Sequence, residues 1–154
     1  MARFTASTES TAVVRADRMA IWKALTDPDL LPRLTPYLAH IEVEGDHWRW
    51  EMVRLPVLNL TIAPSFTEQM TFVEGERIEF HHDPPPGVTE KAAAEGWYRL
   101  TDVEGGTCLE ISLELAVDLP LPRAAGPAVN RVMKRVMDGM GDKFSRNLLA
   151  HVGG

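Results

Sequence analysis

Residues 129–149 read VNRVMKRVMDGMGDKFSRNLL, and this stretch decides the fold. Val129, Val132, Met133, Val136, Met137, Met140, Phe144 and Leu148 recur at i, i+3, i+4 and i+7, the repeat of a helix that buries one side. Arg131, Lys134, Arg135, Lys143 and Arg146 fall between them, interleaved with Asp138 and Asp142, as on a solvated outer face. A proline-rich connector, residues 119–127, precedes this helix, and most of the chain before the connector has strand-like periodicity. One long helix must therefore lie across a sheet, and a sheet curled around such a helix can hold an apolar cavity.

Working outward, Leu109, Ile111, Leu113, Leu115 and Val117 form the cleanest strand pattern, with Cys108, Glu110, Ser112 and Glu114 on the opposite side. One face is core and the other meets water. Residues 66–73, 77–82 and 95–103 read as three further strands. Ile41 and Val43 alternate with Glu42 and Glu44, Gly45-Asp46 turns the chain, and Trp48, Trp50 and Met52 return, which makes a hairpin. The segment 55–64 breaks the alternation with two prolines and fits a loop, a bent strand or a rim over a cavity. At the N-terminal end, residues 3–16 read as a first strand. Asp17 can cap a short helix carrying Met19, Ile21, Trp22 and Leu25, and Asp27-Pro28 stops it. A second short turn, residues 29–34, follows, kept short by Pro32 and Pro36.

The composition narrows the function classes. With 154 residues, 45% hydrophobic and 25% charged, the profile is one soluble globular domain, residues 1–154. A net charge of −6 argues against an electrostatic grip on nucleic acid. A single cysteine, Cys108, rules out an internal disulfide and fits a reducing compartment. Residues 1–10 are polar and no run approaches the roughly 18 apolar residues of a membrane span, so a cytoplasmic location is expected. A homodimer is left open. His81 and His82 point to opposite strand faces, and no HExxH, CxxC or His-x-His spacing occurs, so no metal is expected. No G-x-S-x-G elbow, dinucleotide loop or phosphate loop is present, and no cofactor is implied.

The order is thus strand, two short helices, about six antiparallel strands and one long helix. Together with residues 14–28, VRADRMAIWKALTDP, it resembles the START-like (SRPBCC) superfamily, and within it the polyketide cyclase/dehydrase and lipid-transport branch. The resemblance implies an α+β helix-grip fold, in which a curved antiparallel sheet wraps the C-terminal helix around an internal pocket for a hydrophobic ligand. On that architecture, strand parity sends Trp50, Met52, Phe66, Met70, Ile78, Phe80, Tyr98, Leu100, Ile111 and Leu113 inward. The helix adds Met133, Met137, Met140 and Phe144. Methionine suits a wall that must fit more than one shape, while Gly139 and Gly141 could leave room for a ligand or a close sheet contact.

Glu68, His82 and Tyr98 are the polar exceptions on these inner faces and the candidates for chemistry. Burial would raise a carboxyl toward an acid/base range, and Tyr98 could orient a carbonyl or phenol. Two functions remain: a carrier or sensor of a lipid, polyketide or aromatic metabolite, or a cyclase/dehydratase using the inward polar groups. Function does not follow from fold alone, and whether the chain is an enzyme is left open.

Overall fold

A computed structural model of the chain describes residues 2–153. Strand β1 (Ala2–Val14) leads into α1 (Arg18–Leu25), whose N-terminus is capped by the Asp17 carboxylate accepting from the Met19 N–H at 3.2 Å. Ile21, Trp22 and Leu25 are buried as expected, whereas Met19 is 43% exposed. Asp27 then accepts from the N–H groups of Asp29 and Leu30, and the chain enters α2 (Leu31–Leu34) with Pro32 in its first turn. Leu31 and Leu34 are buried there.

The hairpin of β2 (Leu38–Glu44) and β3 (His47–Met52) turns at Gly45, whose φ of 63° favours glycine. Trp48 is buried opposite Val43, but Val43 itself is 46% exposed, since the edge strand outruns the core. Residues 55–62 form a separate small hairpin, β4 (Leu55–Val57) and β5 (Leu60–Ile62). Strands β6 (Ser65–Val73), β7 (Arg77–His82), β8 (Ala92–Val103) and β9 (Gly106–Leu119) complete the main sheet. Its order is β1-β9-β8-β7-β6-β3-β2, antiparallel throughout, so β1 crosses over to the far edge.

Strand β8 starts at Ala92, not Glu95. Alanine favours helix by propensity, yet Ala92, Ala93 and Ala94 pair with Val117, Ala116 and Leu115 and are buried. Tertiary pairing overrides the local preference. Further along β8, a Cβ at Gly96 would lie 2.0 Å from the Ser112 carbonyl oxygen and 2.9 Å from the Phe80 ring, so only glycine permits this close approach. On the outer face Arg77 and Arg99 stack over Trp97, at 5.1 and 4.9 Å from its ring centre.

A 3-10 turn, Arg123–Ala125, leads into α3 (Gly126–Val152), with Pro127 in its first turn and Gly153 closing it at φ 79°. Val129, Met133, Met137, Phe144 and Leu148 are buried along its inner side, and the basic residues named above are exposed. The helix packs on β1, and Asn147 donates to the Leu34 carbonyl at 2.9 Å, tying it to α2. This is the helix-grip α+β arrangement. Among the described residues, no helix is long and apolar enough to cross a membrane.

Candidate functional site

Between the concave face of the sheet and α3 lies a cavity of about 560 Å³. The sheet side is formed by Trp50 and Met52 on β3, Phe66 and Glu68 on β6, Phe80 on β7, Tyr98 on β8, and Ile111, Leu113 and Leu115 on β9. Met133, Met137, Met140 and Phe144 face them from α3. The β4–β5 hairpin supplies Leu55, Val57 and Ile62, while α2 and the start of β2 add Leu31 and Leu38. Thus the segment without a clear period in the sequence is a rim. Polar groups gather at the edge: Thr8, Glu9 and Ser10 on β1, and Asp138, Asp142 and Ser145 on α3. Gly141 also lines the space, and a Cβ at Gly139 or Gly141 would meet nothing within 4 Å, so neither serves a close sheet contact.

Four residues expected on the inner faces lie elsewhere. Met70 and Leu100, with Ile78, have the inward parity but pack in the solid core near α1, where Trp22 meets the Phe72 ring edge-on at 6.1 Å and α1 touches β8. Parity selects a face, not a depth along the strand. His82 is also off the cavity: its Nε2 lies 2.9 Å from a Glu90 carboxylate oxygen. The same carboxylate accepts from the Thr67 backbone N–H at 2.8 Å and from the Thr67 hydroxyl at 2.7 Å. Glu90 lies in a loop without periodicity, and only its tertiary contacts reveal this role.

Glu68 is the polar centre of the cavity. It is fully buried, and its Oε1 accepts the Ala94 N–H at 3.0 Å, while Oε2 has no protein partner. Loss of hydration pushes its carboxyl up to about 9, partly offset by the Ala94 hydrogen bond and reinforced by the nearby Glu95 and Glu90 carboxylates. At neutral pH Glu68 is therefore a carboxylic acid, a hydrogen-bond donor in an apolar wall. The other unpartnered buried polar atom among the described residues is Trp50 Nε1, on the same wall. Tyr98 completes the polar set, its phenol pushed up to about 12 by burial and hence neutral. Its ring packs at 5.7 Å from that of Phe80.

Outside the cavity, His40, Glu42 and Glu51 bring potential metal-ligating atoms within 4.8 Å of one another on the outer face of the β2–β3 hairpin. The Arg49 guanidinium bridges Glu42 and Glu51, so the two carboxylates already have a cation.

The chain belongs to the family described as polyketide cyclase / dehydrase and lipid transport, whose profile matches residues 5–151. Solved structures share the fold. The Zhui aromatase/cyclase from Streptomyces sp. R1128 superposes with a TM-score of 0.69 at 11% identity, covering 97% of this chain and 94% of that one. A START superfamily protein from Mycobacterium smegmatis gives 0.67 at 16% identity, with 96% and 97% covered. The di-domain aromatase/cyclase StfQ of the steffimycin biosynthetic pathway gives 0.68 at 14% identity, covering 97% of this chain, which spans 51% of StfQ. No curated protein matches the chain in sequence.

Proposed function

We propose that this protein holds a small hydrophobic molecule, a lipid, polyketide or aromatic metabolite, in the cavity between sheet and α3, as a carrier or sensor in the cytoplasm. The observation that carries the proposal is the cavity itself: about 560 Å³, walled by aromatic, aliphatic and methionine side chains, with Glu68 as the one fully buried carboxyl among the described residues. That volume falls within the roughly 300–1,000 Å³ of small-molecule sites. A ligand burying about 300 Å² of apolar surface gains about 7 kcal/mol before binding costs are subtracted. The four methionines Met52, Met133, Met137 and Met140 let the wall repack around ligands of different shape.

The second reading, a cyclase or dehydratase, draws on a neutral Glu68 able to give a proton to a substrate oxygen. The carrier reading is preferred because His82, the other candidate for proton transfer, is engaged with Glu90 and does not line the cavity. Native mass spectrometry of protein purified from its own host, compared with the denatured mass, tests the proposal. A bound species lost on denaturation supports it. Protein that arrives empty and then takes up no apolar compound overturns it.

A further inference from the structure

The Trp50 indole nitrogen and the Glu68 Oε2 are both buried and both lack a protein partner. Trp50 pairs with Phe66 and Glu68 with Trp48, so the two side chains are diagonal neighbours on one face of adjacent strands. Diagonal neighbours lie about 7–8 Å apart, somewhat less between their Cβ atoms, within reach of one another for side chains of this length. Because Oε1 already accepts the Ala94 N–H, the proton of a neutral Glu68 resides on Oε2, which leaves two donors and no acceptor at this point of the wall. Buried donors are expensive to leave unmatched.

We propose that Trp50 and Glu68 form an oxygen-binding subsite, and that the ligand is an uncharged molecule carrying a carbonyl-type acceptor seated between them. This deepens the ligand-binding reading above and rests on it. The charge of the lining argues for the neutral class. Among the described residues, no Lys, Arg or His lines the cavity, while Glu9, Asp138 and Asp142 stand at its edge. A carboxylate or phosphate ligand would meet acidic groups on entering and find no cation inside. An ammonium would place its donors against the Trp50 N–H.

One rigid tricyclic framework provides the test: 9-fluorenone, fluorene, fluorene-9-carboxylate and protonated 9-aminofluorene, titrated by calorimetry into the full chain. Fluorenone should bind about tenfold tighter than fluorene, and both charged analogues more weakly than fluorenone. Trp50→Phe keeps a ring and should reduce the preference for fluorenone over fluorene about threefold or more. Glu68→Leu should abolish most of the preference, whereas Glu68→Gln, which keeps an acceptor for Ala94 and a donor toward the ligand, should preserve it. The preference is a ratio measured within one variant, so a general loss of stability does not mimic its loss. Equal binding of fluorenone and fluorene overturns the subsite and leaves the cavity reading standing. Tightest binding of the carboxylate or the ammonium overturns the neutral class. Failure of all four probes overturns the cavity reading and the subsite with it.

Discussion

Replacing Glu68 with Gln should stabilise the protein, and by an amount that grows with pH. The folded-state value of about 9 lies above the ordinary 4.5, so the native state binds a proton that the unfolded chain has lost. The contribution of Glu68 is therefore fully present below pH 4.5, declines between 4.5 and about 9, and levels off above that. Each pH unit inside this window is worth about 1.4 kcal/mol. At pH 7, holding Glu68 protonated costs the native state about 3 kcal/mol, a large part of a typical total of about 5–15 kcal/mol. The amide of the Glu68→Gln variant would accept the same hydrogen bond from Ala94 without taking up a proton. Urea unfolding of both proteins at pH 5.5, 7.0 and 8.5 reads the difference, in which the titrations of all other groups cancel. The advantage of the variant should rise by about 3–4 kcal/mol across that range. A difference independent of pH, or one that moves against the variant as pH rises, would refute the assignment of Glu68 as a buried neutral acid.

Other consequences are more local. Leu148→Ala, at a residue 1% exposed, should lose about 2–5 kcal/mol in chemical denaturation, whereas Met140→Ala, at the half-buried cavity wall, should lose under about 1.5 kcal/mol. Gly96→Ala should be destabilising by about 2 kcal/mol or more, because its Cβ would collide with the Ser112 carbonyl, and thermal melting reads the loss. His47, with Asp83 at 2.8 Å and Asp46 at 2.9 Å, is raised above its ordinary 6.5, first by the Asp83 hydrogen bond. NMR titration should show this, and Asp83→Asn should move the midpoint down. Its contribution to stability is present below pH 6.5 and disappears as pH rises through the folded-state value.

The parts of the fold that could be read from sequence are those where one face is buried along the whole element. The stripe from Val129 to Leu148 and the alternation from Leu109 to Val117 repeat the period of their secondary structure because each has core on one side only. Glu68 stood out for the same reason, as a carboxyl between Phe66 and Met70 on an inward face. What escaped is set by contacts distant in sequence. Ala92–Ala94 is a strand because β9 and Glu68 claim its backbone. The β4–β5 rim is too short for a period to show. Met70 and Leu100 share the parity of Glu68 and Tyr98 but lie at the end of the sheet that α1 fills. Glu90 holds His82 from a loop on which neither helix nor strand periodicity bears.

The central claim is that apolar molecules bind between the sheet and α3, and the methionines offer the most direct measurement. Methyl-labelled methionine spectra recorded during titration with fluorene should show shifts at Met52, Met133, Met137 and Met140, which line the cavity, with Met19 and Met70, which do not, staying in place. Shifts confined to Met19 or Met70, or no shift at any methionine up to the solubility limit of the probe, would contradict it.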